Sequence, residues 1–269
     1  MNILITINQK YIEQLQVLLK SIECSNPTEK FNIYILHKSL TKEDETKIKS
    51  KINTEQFYIK LIEIPKNEIE HFPVYEKRYP VEIYFRIFST KYLPKDIDRI
   101  LYLDTDIVVI NSIKELYNMD FEDNYFIATT HIKKILHKFH EIRLSMPKEN
   151  VYMNTGVLLI NLKELRKIDI EKEVDEFIER NKRKLMLPDQ DILSTLYGDK
   201  VKLINEVKYN LGERSFNLHN LYQEENKIDL EWVKKNSIII HYYGRNKPWN
   251  KKYIGKLNIF YNEVIKKIK

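Results

Sequence analysis

Apolar positions in the first third of the chain switch between two periods. Residues 2–7 form a short apolar run that reads as a strand. Between residues 11 and 22, Tyr11, Leu15, Leu18, Leu19 and Ile22 recur at the spacing of one helical face. A second apolar run covers residues 31–36 and ends at His37. Thr41 before Lys42-Glu43-Asp44 has the form of a helix N-cap with acids in the first turn, so a helix is expected to about Lys51. Residues 57–64 make a third run, broken by Pro65. The order strand, helix, strand, helix, strand predicts an α/β fold with a mostly parallel sheet.

Further on, residues 80–92 read as a helix closed by Leu93-Pro94, and residues 99–103 as a buried strand. That strand runs into Asp104-Thr105-Asp106, followed by the apolar residues 107–110. Residues 131–150 have mixed polarity and predict a loop or an exposed helix. Residues 156–162 read as a strand, 168–180 as an amphipathic helix, and Pro188 opens a short helix bearing Asp189, Gln190 and Asp191. Short strands are expected at 201–204 and 237–240, with 205–236 polar and irregular. In the tail, Ile254, Leu257, Tyr261, Val264, Ile265 and Ile268 fall at helical spacing between lysines. The expected organisation is a single domain over 1–269, with 205–269 as an irregular C-terminal part ending in a basic amphipathic tail.

Composition narrows the class. The chain has 269 residues, 43% of them hydrophobic and 31% charged, which suits a globular fold with a full core. Its basic character is local: from Val233 onward there are ten Lys or Arg and one acid, Glu263, against 35 basic and 38 acidic residues elsewhere. This asymmetry points to an anionic partner or to a solvated lysine-rich surface. The tail could pack on its own domain or lie on an anionic membrane. No nucleic-acid motif accompanies the charge, so no such partner is expected. No apolar run approaches the ~20 residues of a membrane span, and the N-terminus reads as a strand rather than a leader. One cysteine, Cys24, fits a reducing, cytoplasmic setting. The five glycines form neither G-x-G-x-x-G nor a P-loop, so any nucleotide phosphate must be held in another way.

The acids after the buried strand are the first chemical signal. Asp104 and Asp106, at i and i+2 on extended chain, point to the same side and repel unless a cation lies between them. Hard oxygen ligands of this kind suit Mg²⁺ or Mn²⁺. The same string also fits a haloacid dehalogenase-type phosphatase with Asp104 as nucleophile, and a non-catalytic sugar-nucleotide binding module is a third possibility. His131, His137 and His140 raise a zinc site as a further candidate.

Three downstream segments complete a pattern: Met153-Asn154-Thr155-Gly156 leading into a strand, Leu187-Pro188-Asp189-Gln190-Asp191, and Ile240-His241-Tyr242-Tyr243-Gly244-Arg245-Asn246-Lys247-Pro248-Trp249. With Tyr84-Phe85-Arg86 and Leu103-Asp104-Thr105-Asp106, these resemble glycosyltransferase family 8, in order and over nearly the whole chain. The resemblance is to the bacterial lipopolysaccharide galactosyl- and glucosyltransferases and the general-stress-protein branch. It implies a Rossmann-like GT-A fold and a retaining, metal-dependent transfer of a hexose from a UDP-sugar to a glycan or glycolipid acceptor. It implies Mn²⁺ (or Mg²⁺) on Asp104, Asp106 and His241, with Thr105 in the same motif. Gly244 and Lys247 would hold the diphosphate, and Thr6, Asn8 and Tyr11 the nucleotide. Arg86, Asn154, Asp189 and Gln190 would surround the donor sugar. Asn8 stands where the family commonly has an acid facing uracil, and His131 where it has an acid near the sugar. Retention would follow a same-face ion-pair route or a covalent one through a carboxylate such as Asp189. The expected setting is cytoplasmic, with peripheral contact at the inner membrane face through the tail as the alternative to its packing on its own domain.

Overall fold

The computed structural model describes residues 1–68, 72, 80–132 and 134–268. Its strands are β1 (Asn2–Thr6), β2 (Phe31–His37), β3 (Phe57–Glu63), β4 (Arg99–Leu103), β5 (Ile107–Val109), β6 (Phe126–Thr129), β7 (Asn154–Asn161), β8 (Val201–Leu203) and β9 (Ile239–His241). Seven of them form one sheet in the order β3-β2-β1-β4-β7-β6-β8, while β5 and β9 pair separately. Every neighbouring pair in the large sheet is parallel except those of β7, which runs against β4 and β6. The mostly parallel α/β sheet expected from the pattern is therefore present.

Both faces of this sheet are covered, which is why its strands read as unbroken apolar runs. Ile3, Ile5, Ile33, Ile35, Leu101 and Leu103 pack on one side, against Leu15, Leu18, Leu19 and Ile22 of the helix Ile12–Ser25. Leu4, Tyr34, Leu36 and Tyr102 face the other side, against Val174 and Phe177 of Ile170–Asn181 and Ile192 and Leu193 of Pro188–Tyr197. Each large apolar side chain buried this way contributes about 1.5–3 kcal/mol. The helix Lys42–Lys49 opens with the expected cap: the Thr41 hydroxyl accepts from Asp44 N–H, and the Asp44 carboxylate accepts from Thr41 N–H.

Two expectations need correction, and one strand was not foreseen. Residues 80–92 do not form one helix. Val81–Tyr84 is a 3₁₀ turn, and a one-turn helix follows at Ser89–Tyr92. Hydrogen bonds from Ile83, Phe85 and Ile87 each return three residues, matching the three-residue spacing of Val81, Tyr84 and Ile87. Residues 205–236 are largely helical rather than irregular, with helices at Glu206–Tyr209, Glu213–Tyr222 and Leu230–Asn236. Asn205 and Asp229 cap the first and last of these by accepting from Lys208 N–H and Trp232 N–H. The strand β6 had no counterpart in the pattern, and the segment 131–150 takes the helical option at Lys134–Leu144.

The tail helix Asn258–Ile268 buries Phe260, Tyr261 and Val264 in a third apolar cluster with Val17 and Val108. Its apolar stripe is thus spent on its own domain. Among the described residues no helix is long and apolar enough to cross a membrane.

Candidate active site

The small sheet explains how residues 135 positions apart meet. Ile107 of β5 is paired with His241 of β9, and Tyr242 N–H donates to Asp106 C=O at 2.9 Å. His241 therefore stands beside Asp106 as β4 ends. Because β7 runs backwards, its first residues, rather than its last, reach the same end of the sheet. Asp104 N–H donates to Gly156 C=O at 2.9 Å. A Cβ at Gly156 would collide with Cε1 of His241 and lie 2.7 Å from Asp104 Oδ2, so this close approach requires glycine.

Asp104, Asp106 and His241 each offer a ligand atom, all within 4.8 Å of one another. His241 Nε2 lies 3.1 Å from Asp106 Oδ1 and 3.8 Å from Asp104 Oδ2. A chain of buried amides fixes the ring. Gly156 N–H donates to Asn154 Oδ1 at 3.0 Å, and Asn210 Nδ2 donates to the same oxygen at 2.9 Å. That leaves Asn210 Oδ1 to accept from His241 Nδ1–H at 2.8 Å. This network directs the Nδ1 proton to Asn210 and turns Nε2 toward the two carboxylates, where its lone pair would be available to a cation. Three lone-pair donors converging in this way fit a divalent cation. Lys247 pairs with Asp106 Oδ2 from the far side and also donates to Tyr242 C=O at 2.8 Å. Burial pushes the Asp106 carboxyl up, but Lys247 and His241 outweigh it and hold it well below the usual carboxylate range.

Arg86 is buried between the acids. Its guanidinium lies 3.0 Å from Asp104 Oδ1 and 3.1 Å from Asp189 Oδ2, donates to Thr155 C=O at 2.9 Å, and sits 4.2 Å above the Tyr102 ring. Burial opposes its charge, and Asp104, Tyr102 and Asp189 more than restore it. Burial raises the Asp189 carboxyl, against Arg86 and the Thr155 hydroxyl, which donates at 2.6 Å. Gln190 donates to Met153 C=O at 3.2 Å. Tyr102 donates its hydroxyl to Asp104 at 2.6 Å and lies 3.2 Å from Thr6 Oγ1. Thr6, Asn8, Tyr11, Thr105 and Lys247 share a cleft of about 210 Å³ with Arg86 and both aspartates. Gly244, at φ +86°, makes the turn that returns Lys247 to this cleft.

The family model for glycosyl transferase family 8 matches residues 2–253. The chain belongs to glycosyltransferase family 8. It is 28% identical over 247 residues to a lipopolysaccharide 1,2-glucosyltransferase of Escherichia coli, covering 91% of this chain and 71% of that one. It is 29% identical over 253 residues to a putative glycosyltransferase of Haemophilus influenzae, covering 94% and 74%. Its structure matches the galactosyltransferase LgtC, solved with donor and acceptor sugar analogues, with a TM-score of 0.83, 25% identity and coverage of 98% and 95%. The GT-A fold is thereby established, and family and fold together make the chain a hexosyltransferase.

Family membership removes the phosphatase reading. Such an enzyme needs a second acidic cluster beside its nucleophile, and the downstream acid Asp199 precedes β8, at the opposite end of the sheet from Asp104. The three histidines do not converge either. His131 stacks on Tyr243 at 4.5 Å with Glu206 Oε1 2.8 Å from its Nδ1, His137 bonds Glu141 and Asn150 C=O, and His140 stacks on Tyr152 at 3.9 Å. Among the described residues, Asp104, Asp106 and His241 are the one group able to hold a metal. Trp249 serves as an anchor, its ring 6.0 Å from Tyr261 and under the Lys247 ammonium at 5.6 Å. Sequence reading missed Asn210, Tyr102 and Thr155, whose roles depend wholly on tertiary neighbours.

Proposed function

We propose that this family 8 enzyme transfers glucose or galactose, with retention, from a UDP-sugar to a glycan or glycolipid acceptor of the lipopolysaccharide kind, using Mn²⁺ or Mg²⁺. The observation that carries this reading is the meeting of Asp104, Asp106 and the Nε2 lone pair of His241 beside a cleft lined by Thr6, Asn8, Tyr11 and Lys247. Relatives named for glucosyl and galactosyl transfer to lipopolysaccharide support the donor and acceptor classes.

Asp104, Asp106 and His241 would hold the metal, which when bound supplies a Lewis-acid counter-charge to the departing diphosphate. Lys247 adds a point charge on the same side, carried on the Gly244 turn. Thr6, Asn8 and Tyr11 receive the nucleoside. Arg86 keeps Asp104 and Asp189 fixed at the distances given above, so their orientation precedes substrate. Asn154 and Gln190 flank the sugar side, Asn154 also steadying His241 through Asn210. The same-face route is favoured over a covalent one. Asp189 Oδ2 is already committed to Arg86 and Thr155, and Asp191 is fully buried under Arg143, Tyr152 and two backbone N–H groups. Both oxygens of Asp191 are thus engaged, and Asp189 is held by one of its two.

Cys24 is an exposed free thiol, which suits a cytoplasmic setting. With the stripe from Leu257 onward packed on the domain, peripheral contact with a glycolipid-bearing membrane falls to exposed Lys251, Lys252 and Lys256 and to Ile254, the one stripe residue left 83% exposed. The deciding experiment measures UDP release from several UDP-sugars with Mn²⁺ and with chelator. Release from UDP-glucose or UDP-galactose that chelator abolishes is expected. Release that survives chelation would overturn the metal assignment, and absence of release from any UDP-sugar would overturn the donor.

A further inference from the structure

Glu82 is a largely buried residue whose carboxylate, among the described residues, has no bound partner. It lies in the 3₁₀ turn Val81–Tyr84, is 7% exposed, and faces the cleft that Asn8 and Tyr11 enter from the turn after β1. Among the described residues no hydrogen bond or ion pair reaches its side chain; the terminal nitrogens of nearby Arg86 go to Asp104, Asp189 and Thr155, and its unpartnered Nε does not bond Glu82. Its oxygens line the cleft and accept from no described protein group, so they are open to a donor on a ligand. That partner cannot be the diphosphate, whose charge it would repel. It must be an N–H or O–H group of the nucleoside or sugar.

Asn8 narrows the choice. Its Oδ1 is engaged as the cap of the turn Gln9–Tyr11, accepting from Lys10 N–H at 3.1 Å. What Asn8 turns to a ligand is its amide N–H₂, a donor. A uracil edge carries carbonyl acceptors on either side of the N3–H donor. Asn8 satisfies a carbonyl and leaves N3–H in need of an acceptor, and Glu82 is the free acceptor in the same cleft. We propose that Glu82 reads the uracil ring by accepting its N3–H, with Asn8 donating to the adjacent carbonyl. This rests on the UDP-sugar reading above and assigns a base-recognition role to a residue outside its motifs.

The test is calorimetric binding of UDP in Mn²⁺ by the wild-type chain and by Glu82→Ala, repeated with N3-methyl-UDP and 2′-deoxy-UDP. Wild type should prefer UDP over N3-methyl-UDP by on the order of tenfold to a hundredfold, and Glu82→Ala should lose both that preference and a similar factor in UDP affinity. Inorganic pyrophosphate should bind both proteins equally. Removing an unpaired charge should leave the thermal midpoint of Glu82→Ala unchanged or raised, so a failure to fold is separable from a failure to bind. If Glu82→Ala abolishes the preference against 2′-deoxy-UDP instead, the carboxylate reads the ribose and the assignment to N3 falls. If it binds UDP as tightly as wild type, the role of Glu82 falls while the donor reading stands. If wild type binds no UDP, the donor reading itself falls.

Discussion

The two ends of the large sheet both carry charge and a hollow, yet only one is built for chemistry. Where β4 leaves off, a cleft of about 210 Å³ holds acids, an arginine and a lysine that are largely withdrawn from water and share partners. At the other end, near the starts of β4, β6 and β8, a hollow of about 760 Å³ is lined by Asp98, Arg99, Asp120, Glu122, Lys163 and Lys200. There the pairs are simple and open to solvent. Lys202 meets Glu122 at 2.6 Å, and Arg99 donates to the carbonyls of Tyr117 and Met119. Among the described residues, no group of acids or histidines around the larger space converges on a metal position. Convergence and desolvation, rather than volume, distinguish the end that can stabilise a leaving diphosphate.

That contrast breaks most visibly at Asp106. Asp106→Ala removes a carboxylate shared by His241 and Lys247, and turnover of the UDP-sugar should fall by on the order of 10²–10³. Steady-state UDP release measures it, and an unchanged rate would erase the distinction between the two ends. Asn210→Ala should be milder. The His241 ring loses its fixed tautomer, so metal affinity should weaken by about 10–100-fold while saturating metal recovers much of the rate. A Mn²⁺ titration of activity reads this directly. Gly244→Ala meets no neighbouring atom but forces a side chain to φ +86°, costing about 1–2 kcal/mol in thermal or denaturant unfolding. Nucleotide affinity should drop only as far as Lys247 shifts. Smallest of all, Glu122→Gln at the far end should leave turnover within about twofold and stability within about 0.5 kcal/mol, as for other exposed pairs. A large effect there would mean that the far hollow takes part in the reaction.

How much could be read in advance followed how local each signal was. Asp104 and Asp106 were legible because a buried strand ending in two same-side acids is a short-range pattern. His241 was named through the order of motifs, and the β5–β9 register supplies the physical reason it arrives. Asn210 left no trace, because an asparagine after a tyrosine becomes an anchor for an imidazole only once Leu211 joins the edge of β9. The misread of residues 80–92 came from taking apolar spacing for a 3.6-residue period when Val81, Tyr84 and Ile87 recur every three. That tighter winding is what seats Arg86 between Asp104 and Asp189. Residues 205–236 were misjudged because their helices bury few side chains, such as Phe216 and Val233, so polarity hid them despite good caps at Asn205 and Asp229.

Gly156 has a consequence for anyone wishing to redesign this enzyme. The position touches the imidazole and the first aspartate so closely that even a methyl group has nowhere to go. In a library randomised at that codon, survivors should encode a single amino acid, and the altered proteins should fail through crowding of the cradle, with no reactive group having been taken away.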